Sequence, residues 1–128
     1  MTICLATILA SAGTARAGAH VWQGAASGGV WSTNANWNGG APTSNEAGGT
    51  YVQFDGGVSS TDNISNLTID TLWLTAGANV LSGTHPLSIG DASPYSFEIR
   101  NDTGGNTLAS SLPLNLGLNP LRVWVVAG

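Results

Sequence analysis

Lysine is absent from this 128-residue chain, and arginine occurs only three times. Against seven acidic residues, this leaves a formal net charge of −4. A nucleic-acid surface needs a basic patch to displace counterions from phosphates, and the chain has too few cations to build one. The same scarcity argues against electrostatic attachment to an anionic lipid surface. Cysteine occurs once, as Cys4, so no disulfide can form within the chain. Long apolar runs are missing as well: Ile3 to Ala12 is too short to cross a bilayer as a stable helix. No G-x-S-x-G, H-E-x-x-H or phosphate-cradling glycine loop occurs.

Two small-x-small patterns follow the Ile3–Ala12 stretch, Ala15-Arg16-Ala17 and Ala17-Gly18-Ala19. An apolar stretch before such a pattern reads as a secretory signal peptide, here residues 1–19. Cleavage after Ala19 would leave His20 as the mature N-terminus. No Lys or Arg precedes the apolar run, a departure from the usual basic n-region. Removing the leader removes Cys4, so the mature chain must hold itself by burial and strand pairing alone. Export without disulfides fits a bacterial surface or secreted protein.

Residues 20–62 form a Trp- and Gly-rich segment. Its run Val21–Gly40, VWQGAASGGVWSTNANWNGG, carries Trp22, Trp31 and Trp37 and no charge. Helical spacing does not explain the three, and Gly28-Gly29 would weaken a helix through them. Short strands and tight turns closing over an aromatic cluster do. Two roles stand for the cluster. Trp22, Trp31 and Trp37 form a structural cap over an otherwise open core; or these three, with Trp73, offer ring faces on which sugars stack.

Residues 63–128 change pattern, to short apolar-x-apolar pairs between turn residues. Examples are Leu67-Thr68-Ile69, Leu72-Trp73-Leu74, Leu87-Ser88-Ile89 and Phe97-Glu98-Ile99, then Leu112-Pro113-Leu114 and Leu121-Arg122-Val123. Alternation at period two marks strands with one buried face. The pairs recur about two dozen residues apart. Leu72 and Leu74 return as Phe97 and Ile99, Leu87 and Ile89 as Leu112 and Leu114, and Phe97 and Ile99 as Leu121 and Val123. That repeat predicts a β-solenoid in which Leu72 stacks on Phe97 and Leu87 on Leu112, with Glu98 beside Arg122. An antiparallel β-sandwich is the alternative for strands of this length. Val125-Val126-Ala127-Gly128 follows the last pair with no polar cap, so the rungs are expected to continue beyond this sequence.

The motifs Trp22-Gln23-Gly24 and Trp31-Ser32-Thr33-Asn34-Ala35-Asn36-Trp37-Asn38-Gly39-Gly40-Ala41-Pro42 are followed by Val52-Gln53-Phe54-Asp55-Gly56. Units such as Leu72-Trp73-Leu74-Thr75-Ala76-Gly77, Leu87-Ser88-Ile89-Gly90 and Leu112-Pro113-Leu114-Asn115-Leu116-Gly117 come next. In these the chain resembles exported bacterial proteins with autotransporter-associated β-strand repeats. The resemblance implies an all-β, right-handed parallel β-helix that begins at an N-terminal cap and forms a passenger displayed on, or released from, the cell surface.

The ionisable residues are scattered. His85 precedes Pro86 in a turn, and Asp55-Gly56-Gly57 lacks the glycine-rich nonapeptide of calcium-binding β-rolls. No paired carboxylates or Lys base are present for glycan cleavage. The expectation is therefore a non-enzymatic chain without cofactor or metal. It would be the structural start of an outer-membrane-associated or secreted adhesin-like stem. Its partners would be surface glycans or a host or neighbouring cell surface, and the mature segment would have no membrane span. A carbohydrate-binding module, or the non-catalytic start of a β-helical polysaccharide-degrading enzyme, is the alternative.

Overall fold

Apolar-x-apolar pairs bounded by Gly, Asn and Asp can bury one face only over a short length, and the chain uses them as short strands. The computed structural model describes residues 18–24, 28–90 and 98–117, and the backbone of 122–125. Most of the expected leader, with Cys4, lies outside the described residues, as do Phe97, Leu121 and 126–128. The protein is all-β. Among the described residues the only helical element is a 3-10 turn, Asn34–Asn36.

The strands are β1 (Ala19–Trp22), β2 (Trp37–Asn38), β3 (Tyr51–Phe54), β4 (Ser59–Asp62), β5 (Thr68–Ile69) and β6 (Thr71–Leu74). They continue as β7 (Val80–Gly83), β8 (Leu87–Ile89), β9 (Glu98–Asn101), β10 (Thr107–Leu108), β11 (Leu114–Leu116) and β12 (Arg122–Val125). A mixed six-stranded sheet has the order β12-β9-β6-β3-β1-β2, and two three-stranded parallel sheets have the orders β10-β7-β4 and β11-β8-β5. From β3 to β9, each strand pairs in parallel with the strand three places later. Antiparallel pairing among the described strands is confined to β1 and β2.

In-register parallel pairing lines up like positions. Val52, Leu72 and Ile99 form one inward column, and Phe54 and Leu74 part of another. Ile69 stacks on Ile89 in the third sheet. Val52, Phe54, Leu72, Ile69 and Leu81 are fully buried, each contributing about 1.5–3 kcal/mol relative to an exposed position. The intervening residues Gln53, Trp73 and Arg100 form a column on the opposite face.

The register differs from the expected one. Leu72 pairs with Ile99 and Leu74 with Asn101, and Leu87 pairs with Leu114 rather than Leu112. The step from β6 to β9 is therefore 27 residues (Thr71 to Glu98), whereas β3 to β6 takes 20 (Tyr51 to Thr71). Only a one-residue slip exchanges the faces of a strand; a slip of two keeps every apolar residue inside. Alternation alone could not separate the two alignments. The 24-residue step from β9 to β12 is as expected, with Glu98 opposite Arg122 and Arg100 opposite Trp124. Leu112, displaced from its expected strand position, is buried over Gly83, where a Cβ would collide with its side chain.

The bends leading into β4, β7 and β10 repeat one geometry. Gly57, Ala78 and Gly105, each two residues before its strand, have φ of 64°, 64° and 83°. Next to Ala78, Asn79 is fully buried. Its amide donates to Ala76 O (2.6 Å) and Asn106 Oδ1 (2.8 Å), and Asn106 Oδ1 also accepts from Asn79 N. The left-handed region costs a residue with a Cβ about 1–2 kcal/mol, part of which glycine loses again through its freer unfolded chain. Replacing Ala78→Gly is expected to raise stability by about 0.5–1 kcal/mol, read as a higher urea midpoint at unchanged slope. A lower midpoint would show that the Ala78 methyl contributes more by packing than its backbone costs.

Candidate functional site at the tryptophan end

Strand β1 turns His20 and Trp22 inward, above Val52 and Phe54 of β3. The chain then runs to Val30, which bridges in parallel to Thr61, with Trp31 N donating to Thr61 O at 3.0 Å. The 3-10 turn at Asn34–Asn36 reverses it, and β2 lies antiparallel on β1 with Trp37 opposite Trp22. Three indoles converge on Phe54 in this way. Its ring centroid lies 5.7 Å from Trp22, 5.5 Å from Trp31 and 5.6 Å from Trp37. Trp37 meets Trp22 edge-on at 4.7 Å and Trp31 edge-on at 5.6 Å, the arrangement that the ring quadrupoles favour. Trp22, Trp31 and Trp37 are 5 %, 0 % and 5 % exposed, so none presents an open face to a sugar ring.

The motif around these indoles has a structural task at nearly every position. Trp31 Nε1 donates to Ser60 Oγ (3.0 Å), and Trp37 Nε1 to the Trp31 carbonyl (2.7 Å). Ser32 and Asn63 bond reciprocally, Ser32 N to Asn63 Oδ1 and Asn63 Nδ2 to Ser32 Oγ. The fully buried Asn36 donates to Val30 O, and Asn34 Oδ1 accepts from Ala41 N. At Gly39, φ is +101° and a Cβ would lie 2.5 Å from the Ala19 carbonyl, so glycine is required.

His20 is buried. Its Nδ1 lies 2.8 Å from Gly40 O and its Nε2 3.0 Å from Glu46 Oε1. Both facing atoms are oxygens, a carbonyl and a carboxylate. Glu46 also accepts from Thr43 N (3.0 Å) and Thr43 Oγ1 (2.7 Å). Burial pushes the Glu46 carboxyl up, but the bonds from Thr43 and His20 outweigh it and hold the group below its ordinary value. The role of Glu46 was not foreseen. The spacing Thr43-Ser44-Asn45-Glu46 is that of a capping box and was the available signal.

Trp73 lies apart from the cluster, half-buried on the outer face of the six-stranded sheet. Its Nε1 donates to Asp102 Oδ2 at 2.8 Å, and the Arg100 guanidinium carbon stands 4.7 Å from its ring centroid. Arg100 Nε donates in turn to Asp102 Oδ1 at 2.6 Å. The Arg100 and Trp73 bonds hold the Asp102 carboxyl below its ordinary value. One face of Trp73 is thus already occupied by a cation.

Asp62, at the end of β4, is fully buried. Its Oδ1 accepts from Ile64 N at 2.9 Å, while Oδ2 has no partner. Desolvation pushes this carboxyl up to about 6, opposed by the Ile64 N–H and by His85. No cluster of three or more His, Cys, Asp or Glu able to hold a metal ion occurs among the described residues. No helix among them is long and apolar enough to cross a membrane. The arrangement offers tight packing and hydrogen-bond closure.

Trp31→Ala is expected to cost about 3–5 kcal/mol in urea unfolding, the usual range for a buried aromatic. A loss below about 1 kcal/mol would show that the ring carries little of the packing. Asp62 gives a pH dependence. Its folded value lies above the ordinary 3.8, so the native state binds the extra proton between about pH 4 and 6 and stability falls as pH rises through that window. Asp62→Asn should therefore be more stable than the wild type above pH 6, by up to about 3 kcal/mol, with the advantage vanishing below pH 4. Equal melting temperatures of the two proteins at pH 8 would refute a desolvated carboxylate.

No family model, no curated protein and no solved structure matches this chain.

Proposed function

We propose that this chain is the N-terminal cap and first turns of a parallel β-helical stem belonging to an exported, adhesin-like bacterial surface protein, and that its role is structural rather than catalytic. The observation that carries this reading is the pairing of every strand from β3 to β9 with the strand three places later. Three strands per turn, with inward columns such as Val52, Leu72 and Ile99, make a coil in which each turn adds one rung to each sheet. Residues 20–62 then cap the coil: Trp22, Trp31 and Trp37 cover Phe54, and β2 covers the outer edge of β1. The apolar leader with its small-x-small sites supports export, and the resemblance to autotransporter-associated repeats supports display on or release from the cell surface.

A carbohydrate-binding role has weaker support. The three cap indoles are closed off, and Trp73 is shared between Arg100 and Asp102.

Expression of the whole chain from Met1 in a bacterium, followed by fractionation, tests the reading. Folded protein is expected outside the cytoplasm, and retention in the cytosol would refute export. On a glycan array, wild type and Trp73→Ala are expected to behave alike. Glycan binding that disappears in Trp73→Ala, at unchanged melting temperature, would replace the structural role with a carbohydrate-binding one.

A further inference from the structure

The sequence holds two overlapping small-x-small sites, and the first strand distinguishes between them. Ala19 is the first residue of β1 and pairs with Tyr51, and the Gly18 carbonyl accepts from Tyr51 N at 2.7 Å. Gly18 has φ of +81°, and a Cβ there would collide with the Gly49 carbonyl. Glycine is therefore the residue this packing admits, and the backbone at 18 is a built part of the fold. That same Cβ would lie 2.9 Å from Glu46 Oε2, which places this carboxylate oxygen beside the Gly18 Cα. The other oxygen, Oε1, already holds His20 and Thr43.

Cleavage after Ala19 would cut through this arrangement. It would remove the Gly18 acceptor of Tyr51 N and the Ala19–Tyr51 pair, and would place a charged terminus on His20, whose side chain is buried. Cleavage after Ala17 spares all of these. We propose that the signal peptidase site is the Ala17–Gly18 bond, read through Ala15 and Ala17, so that the mature protein begins at Gly18 with its new α-ammonium beside Glu46. In that step water adds across the Ala17–Gly18 amide. Ala17 leaves as the carboxylate end of the leader, and the nitrogen of Gly18 becomes a free amine that takes up a proton. The inference rests on the exported role proposed above and names its processing site.

The test is N-terminal sequencing and intact mass of the exported protein made from the full chain. The expected N-terminus is Gly18. A start at His20, lighter by one glycine and one alanine, or at any other residue inside the exported form, overturns the Ala17–Gly18 site while leaving export standing. Material that retains Met1 and stays in the cytosol overturns both. Ala19→Val separates the two sites further, because a β-branched residue blocks cleavage after position 19 yet suits an exposed strand position. The variant is expected to be processed at Gly18 as before; accumulation of uncleaved precursor would overturn the proposal.

Discussion

Phe54 points inward from β3, and three indoles lie within 5.7 Å of its ring. Stacked parallel strands bury their inward residues against the neighbour on each side, so Phe54 needs cover on the side away from β6 as well. Here the cover comes from β1, from the bridge at Val30 and from the reversal into β2. Each of these delivers one tryptophan. The indoles supply area, and their N–H groups are used where they point at protein: Trp31 at Ser60 and Trp37 at the Trp31 carbonyl. Trp22 Nε1 is the exception, buried without a partner, and the packing around Phe54 has to outweigh that cost.

With few charges, the remaining polar work falls to amides and hydroxyls. Asn36 holds Val30, Asn63 holds Ser32, and Asn79 joins Asn106 across one 27-residue step. Neutral amides serve well in such bends because each can donate and accept at once. A carboxylate in an equivalent interior place is awkward, as Asp62 shows by its unpartnered Oδ2 and raised value of about 6. Glu46 illustrates the opposite case, where three donors surround one oxygen and the charge is retained.

Much of this was legible in the sequence, at the level where local chemistry decides. Strand alternation gave the right faces for Leu72, Leu74, Leu87 and Ile89, all of them buried. The clustering of Trp22, Trp31 and Trp37 followed from their lack of charge, helical spacing or polar relief. Register was not legible from apolar pairs, because a two-residue slip leaves every face unchanged. The turns held better information. Gly77-Ala78-Asn79 and Gly104-Gly105-Asn106 recur at 27 residues, and these bends set the alignment that Leu72 and Ile99 adopt. The fold-back of β2 and the hold of Glu46 on His20 join positions 15 to 26 residues apart through single contacts, and periodicity has no means of reporting those.

The two ends of the sheets differ in chemistry, and this gives the fold a direction. At one end each sheet has a protected margin. The two-residue strand β2 lies on β1; Gly29 and Trp31 bond Thr61 of β4; Ser44 Oγ accepts from Thr68 N of β5 and donates to Asn66 O. Short edge strands and side-chain bonds of this kind deny a further strand its ladder of donors and acceptors. At the other end, β12, β10 and β11 stand outermost in their sheets. Each of these pairs in parallel with the strand before it, by the same rule that placed that strand. The tryptophan margin thus carries a short antiparallel strand and loop contacts, while the opposite margin is formed by β10, β11 and β12. In a chain that has neither disulfides nor lysine, the tryptophan margin is held mainly by aromatic packing and amide hydrogen bonds, with the 3.0 Å contact of His20 Nε2 with Glu46 Oε1 beside them.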